Sequence, residues 1–203
     1  MPYVLILLGC IGIGLSSIGL FIPLIQKVDV YSVAWLSLHR VDFFNPIALA
    51  LSSIGGLPGT LLIVALWCLH QAWYKRYVNI AFICAGILGS IAIGWTLKYV
   101  IDRPRPDIHY QMVHVYGASF PSAHSIYAMT LACLIMFIFH KHSYAKVIIS
   151  LACLWWLSMG FSRVYLGAHF PTDVLAGWSI GLIWIAVLRV WISHSKFGKL
   201  KYF

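Results

Sequence analysis

Three short polar clusters interrupt a strongly apolar sequence, and their residue types are those that hold and attack a multivalent anion. The first, Lys98-Tyr-Val-Ile-Asp-Arg-Pro-Arg105-Pro106, supplies an ammonium and two guanidiniums. The second, Phe120-Pro-Ser122-Ala-His124, supplies a hydroxyl and an imidazole. The third is Ser162-Arg163-Val-Tyr-Leu-Gly-Ala-His169-Phe-Pro-Thr-Asp173. Lys98, Arg105 and Arg163 together would bring three cations to one site, and a guanidinium fork can bond two phosphate oxygens at once. His169 stands just before a predicted helix and Asp173 in its first turn, so the carboxylate can reach the imidazole and fix its tautomer. An imidazole oriented in this way is a usable nucleophile. His124, at the start of another helix, could give a proton to a leaving oxygen.

The elements that must position these residues follow from composition. Hydrophobic residues make up 62% of the 203-residue chain, charged residues only 9%, and mean hydropathy is +0.89. A hydrocarbon layer about 30 Å thick is crossed by about 20 apolar residues in a helix. Six predicted spans meet that requirement: Tyr3–Ile25, Pro46–Trp73, Val78–Leu97, Pro121–His140, Ala145–Ser162 and Thr172–Ile192. The expected fold is a single all-α domain over residues 1–203, a six-transmembrane-helix bundle. Trp73, Trp95, Trp178 and Trp191 suit aromatic belts at span ends, while Trp155 and Trp156 fall mid-span and suit packing. The first span lacks a basic leader and a small-x-small cleavage site, so it is expected to be retained. Residues 28–46 mix apolar and polar side chains. They fit a segment lying on the membrane surface or an ordinary packed loop.

Charge sets the expected orientation. Alternate connections gather Lys75, Arg76, Lys141, Lys146, Arg189, Lys196, Lys199 and Lys201 on one side without a carboxylate, which makes that side cytoplasmic and places both termini there. The other side carries Lys27, Arg40, Lys98, Arg103, Arg105 and Arg163 with all five acids, Asp29, Asp42, Asp102, Asp107 and Asp173. The net +9 is thus divided by topology and gives no support to nucleic-acid binding. On this topology all three clusters share the outer surface. Pro121 and Pro171 each suit a first helical turn, which would aim two helix N-termini at the anion. Five separated cysteines, all within predicted spans, argue against a disulfide framework or a thiolate metal site.

In order and spacing the clusters match the K-x6-R-P, P-S-G-H and S-R-x5-H-x3-D signatures, and the chain resembles the type 2 phosphatidic acid phosphatase superfamily. The resemblance implies that His169 becomes phosphorylated, that Asp173 orients it, and that His124 protonates the leaving group. It further implies that Lys98, Arg105, Ser122 and Arg163 cradle the phosphate, with the backbone amide at Ala123 contributing. Neither metal nor cofactor is implied, and water attacks the phosphohistidine in a second step. The signature's glycine is Ala123 here, which serves if its φ is negative. Either Arg103 or Arg105 could be the ligand; spacing from Lys98 favours Arg105 and leaves Arg103 at the rim, where it could touch a substrate headgroup.

His109 and His114, with Tyr110 and Tyr116, could touch a substrate headgroup or simply pack their loop. A metal site from Asp107, His109, His114 and His124 lacks the short helical spacing of known zinc motifs. His70, His140, His142 and His194 suit interfacial positions and carry no assignment. The expected partners are a lipid phosphate and the surrounding membrane lipids, the expected location a bacterial inner membrane with the active site periplasmic or extracellular. Undecaprenyl pyrophosphate, phosphatidylglycerophosphate, phosphatidic acid and lipid A phosphate all fit as substrates. A lipid-to-lipid phosphotransferase would use the same histidine. A transporter would need charges at the midplane, which the span interiors do not offer.

Overall fold

The computed structural model describes residues 2–194; Lys196, Lys199 and Lys201 of the basic side lie outside the described residues. Among the described residues eight α-helices form: α1 Pro2–Phe21, α2 Pro23–Leu38, α3 Phe44–Gly55, α4 Leu57–Trp73, α5 Tyr77–Ile101, α6 Ala123–Phe139, α7 Ala145–Tyr165 and α8 Pro171–His194. A single 3-10 turn, Ile108–Tyr110, lies in the long α5–α6 connection, and no strand occurs among the described residues.

The expected six helices become eight for two local reasons. Helix α2 takes in the end of the first predicted span and residues 28–38 of the segment read as surface segment or loop, with Pro23 at its first turn, where its missing N–H costs nothing. The second predicted span breaks at Gly56, whose extended backbone (φ −65°, ψ 169°) separates α3 from α4, and the two halves meet at 62°. Leu57-Pro58 then opens α4 with proline in its first turn. By length and apolarity four helices (α1, α5, α7 and α8) suffice to cross a membrane, or five spans if the bent α3–α4 pair is one. At 17 residues α6 is a shorter apolar helix.

Helix α6 is the axis of the bundle. It packs on α5, α7 and α8, and an unbroken run from Ser125 to Leu134 is buried. Its neighbour α8 comes close because two of its residues have no side chain. A Cβ on Gly177 would stand 2.6 Å from the Ser122 carbonyl oxygen, and one on Gly181 2.9 Å from that of Ile126. This close approach sets the first turn of α8 against the start of α6, where two of the three clusters lie. On the other face of α8, α1 presents its only buried residues, Gly9, Gly12, Ser16 and Gly19. Such small-residue stripes are how apolar helices pack where no hydrophobic effect separates them from lipid.

Exposed apolar side chains cover the remaining helix faces, among them Leu7, Leu15, Leu62, Leu69, Leu88 and Leu154. Trp73, Trp95 and Trp191 are also exposed at or near helix ends. Trp178 differs from the belt expectation: its ring fills the space over Gly160 and meets Trp156 edge-on at 4.7 Å. It is a packing residue.

Candidate active site

The last turn of α5, the α5–α6 connection, the start of α6, the end of α7 and the start of α8 meet at one end of the bundle. Lys98, in that last turn of α5, is 6% exposed and donates to the Ala118 carbonyl at 2.5 Å. Arg105 is held by three backbone carbonyls: Nε donates to Gly117 at 2.8 Å, Nη2 to Tyr116 at 2.7 Å and Nη1 to Ala168 at 2.8 Å. A guanidinium fixed in this way points without a carboxylate partner. Its Nη1 lies 3.3 Å from Nε2 of His169.

His169 owes its position to the turn that leaves α7. Gly167 takes φ +68°, a left-handed conformation, and a Cβ there would collide with the Tyr110 carbonyl oxygen, so glycine is required twice over. The amides of Ala168 and His169 then both donate to the Arg163 carbonyl. The imidazole is 2% exposed. Its Nδ1 faces Asp173 Oδ2 at 3.6 Å, beyond ordinary hydrogen-bond length, and Ser119 Oγ at 3.5 Å. Ser119 itself donates to that same carboxylate oxygen at 2.5 Å. An acceptor at Nδ1 and a guanidinium donor at Nε2 select the tautomer with its proton on Nδ1, so the Nε2 lone pair is unprotonated and faces Arg105. Burial pushes the His169 pKa well below its ordinary value. Asp173 opposes the fall and the charges of Arg105 and Arg163 add to it. The ring is therefore neutral at neutral pH. Burial likewise lowers the Arg105 pKa, against the pull of Asp173.

Arg163, 2% exposed, donates from Nη1 to Ser52 Oγ at 2.5 Å, and its buried Nε meets no acceptor among the described residues. His124 Nε2 sits 3.1 Å from the Ser52 carbonyl oxygen, within the field of Arg163, Arg105 and Lys98. Ser52 on α3 thus holds two members of the site at once. No local sequence signal marks it, nor Ser119 as the link between Asp173 and His169.

The helix termini depart from expectation. Pro171 is the first residue of α8, as anticipated, but Pro121 precedes Ser122, the N-cap of α6. The first amides of α8 are taken by protein carboxylates: Phe170 N donates to Asp173 Oδ2 at 2.9 Å and Thr172 N to Asp29 Oδ1 at 3.1 Å. Of the two, α6 keeps its terminus open. Among the described residues the amides of Ala123, His124 and Ser125 meet no backbone acceptor, which leaves them available to an anion. Ala123 is not among the positive-φ residues, so the alanine fits where the signature has glycine. Ser122 is fully buried; its amide donates to the Asp173 carbonyl at 3.0 Å, and its hydroxyl accepts from Ser125 at 3.0 Å.

Arg103 is not at the rim. Its guanidinium bonds Asp173 Oδ1 at 2.5 Å, Asp29 Oδ2 at 2.8 Å and Thr172 Oγ1 at 2.8 Å and lies 4.4 Å over the Phe170 ring. These bonds occupy the fork that a headgroup would need. His109 and His114 are exposed, and His109 Nδ1 pairs with Asp107 at 2.7 Å. Neither hydrogen-bonds the cradle among the described residues, and no group of three or more His, Cys, Asp or Glu side chains converges there.

A basic cradle around a neutral imidazole backed by a carboxylate, at the end of an apolar helical bundle, defines a class: an integral membrane protein built to handle a multivalent anion. Residues 76–197 match the sequence model of the PAP2 superfamily, and the chain belongs to that family. It is 31% identical over 169 residues to phosphatidylglycerophosphatase B of Bacillus subtilis, covering 78% of this chain and 80% of that one. With a B. subtilis undecaprenyl-diphosphatase it shares 28% identity over 149 residues, 71% and 73% of the two chains. The crystal structure of a transmembrane PAP2-type phosphatidylglycerolphosphate phosphatase from B. subtilis superposes with a TM-score of 0.83 at 25% identity, over 97% of this chain and 98% of that one. That of LpxE from Aquifex aeolicus gives 0.65 at 20% identity, over 80% and 94%, a likeness of fold.

Proposed function

We propose that this chain is a membrane lipid phosphatase that hydrolyses a phosphomonoester or pyrophosphate lipid through a phosphohistidine on His169. One observation carries the reading: the unprotonated Nε2 of a buried, neutral His169 faces the fixed guanidinium of Arg105 at 3.3 Å, while its other nitrogen faces Asp173. A phosphoryl group bound by Arg105, Lys98, Arg163 and the open amides of α6 would present phosphorus to that lone pair. Attack forms a P–N bond as the bond to the lipid oxygen breaks, and His124 gives that oxygen a proton. Water then attacks phosphorus, His124 takes its proton, and inorganic phosphate leaves His169.

The substrate class follows from the same placement and from the named activities of the relatives. Phosphatidylglycerophosphate and undecaprenyl diphosphate head the candidates, with lipid A phosphate and phosphatidic acid after them. Four helices are long enough to cross and the bent α3–α4 pair makes a fifth span; in this reading the shorter apolar α6 is the sixth crossing. Lys75, Arg76, Lys141, Lys146 and Arg189 then face the cytoplasm and the site faces outward. The test is phosphate release by the purified protein from this lipid panel in detergent, with chelator present, beside a His169→Ala control. Release that needs His169 and survives chelation is expected. Equal release by the variant, or dependence on an added divalent ion, overturns the reading.

A further inference from the structure

Helix α2 buries only two of its sixteen residues, Asp29 and Val33, and one of them is a carboxylate. Asp29 is 1% exposed, yet it does not cap its own helix. Its Oδ2 accepts from Arg103 at 2.8 Å and from the Thr172 hydroxyl at 2.5 Å, and its Oδ1 accepts from the Thr172 amide at 3.1 Å. Thr172 adjoins Asp173, and Arg103 bonds Asp173 directly through Nη1. Two buried carboxylates therefore share one guanidinium, and the trio carries one net negative charge beside the cations Lys98, Arg105 and Arg163.

That sharing has a chemical result. Were Arg103 paired with Asp173 alone, its charge would cancel the carboxylate's and weaken the support Asp173 gives to Nδ1 of His169. With Asp29 drawing on the same fork, Asp173 retains part of its charge. We propose that Asp29 is a positioning residue for the reaction, acting through Arg103 and Thr172 to set the charge and placement of the Asp173 carboxylate behind His169. This rests on the nucleophile reading given above.

The groups facing His169 are Asp173 on α8, Arg105 in the α5–α6 connection, Arg163 on α7, with Lys98 on α5 and His124 on α6 completing the cradle. Replacing Asp29 by Asn removes one negative charge from this set and nearly preserves the side chain's shape. Attack by His169 then slows, and the acid limb of activity moves to lower pH, because an imidazole that loses nearby negative charge holds its proton less well.

The experiment compares wild type with Asp29→Asn, Arg103→Gln and the double variant in detergent, measuring kcat, KM, the pH profile and Tm on a lipid phosphate substrate. Asp29→Asn is expected to lower kcat by about tenfold or more, the scale typical of residues that orient a working histidine, with KM within about twofold. The acid limb should shift downward. The double variant should be no slower than Arg103→Gln, since effects exerted through one intermediary are not additive. Full kcat in Asp29→Asn overturns the proposal, as does a loss that adds to that of Arg103→Gln without moving the pH profile. If Asp29→Asn does not fold, Arg103→Lys reads the same coupling: a lysine keeps the charge but lacks the fork that spans two carboxylates, so wild-type kcat in it overturns the proposal too. Wild-type activity that survives His169→Ala defeats the nucleophile reading instead, so the two failures are distinguishable.

Discussion

Arg105 Nη1 lies 3.3 Å from His169 Nε2, on the ring edge opposite Asp173, so the nitrogen that would attack and the cation that would bind the attacked group are neighbours before substrate arrives. Three carbonyls hold the guanidinium there. Arg105→Ala is expected to lower kcat/KM by about 10² or more, the scale seen when a preorganised donor to a developing negative charge is removed. Arg105→Lys should recover little of it, because an ammonium cannot satisfy all three carbonyls and still face the phosphate. Steady-state rates on one lipid substrate decide this, and near-wild-type turnover in the alanine variant would remove Arg105 from the site.

The sign of a pH effect follows from His169. Burial depresses its pKa in the folded protein well below the ordinary 6.5, so the unfolded chain binds more protons between the two values. This contribution to stability is fully present above about pH 6.5 and is lost as pH falls from there toward the folded pKa. The apparent Tm of wild type minus that of His169→Gln should therefore shrink as pH is lowered from 7 to 5. A constant or growing difference would mean that the imidazole is charged in the folded state.

Much of the site was legible because its signatures are local. His169 and Asp173 lie one helical turn apart, and the Lys98-to-Arg105 spacing picked the arginine that faces His169. The parts that were not legible depend on tertiary contacts between distant segments. Asp29 looked like one charge in a segment of mixed polarity, and only the packing of α2 against α8 aims it at Thr172 and Arg103. Ser52 lies in what reads as a continuous apolar span; the break at Gly56 sets off α3, the helix that carries it to His124 and Arg163. Arg103 was misplaced at the rim because spacing cannot show that two acids await it inside.

A backbone test concerns Gly167, which positions His169 from two residues away. Gly167→Ala must hold alanine at φ +68° with its Cβ against the Tyr110 carbonyl, at a cost of about 1–3 kcal/mol. A lower apparent Tm and a fall in kcat are expected together, since the turn and the nucleophile move as one. Unchanged kcat would show that the turn does not govern the placement of His169.

Orientation is tested by thiol labelling in a background lacking the five native cysteines. Asp107, next to the cradle, and Ser143, in the α6–α7 turn, are both exposed, so Asp107→Cys and Ser143→Cys present accessible thiols at opposite ends of α6. In intact cells an impermeant reagent should modify the first and spare the second. The reverse pattern would place the site in the cytoplasm.

The roles of the two histidines are separated by the leaving group. If His169 attacks and His124 is the acid, His169→Ala forms no covalent intermediate from any substrate. Wild type should form one that is acid-labile and alkali-stable, as a phosphoramidate is. His124→Ala should behave differently. A lipid alkoxide must be protonated as it departs, whereas an activated aryl oxide leaves without a proton, so the variant should be slowed far more on the lipid than on the aryl phosphate. General acid help is typically worth about 10² to 10⁴ in rate, and the ratio of the two slowdowns should fall in that range. The Ser52 carbonyl oxygen 3.1 Å from His124 Nε2 orients this ring in the absence of substrate. Equal loss on both substrates, or phosphate found on Ser122 or Asp173, would show that the chemistry is divided in another way.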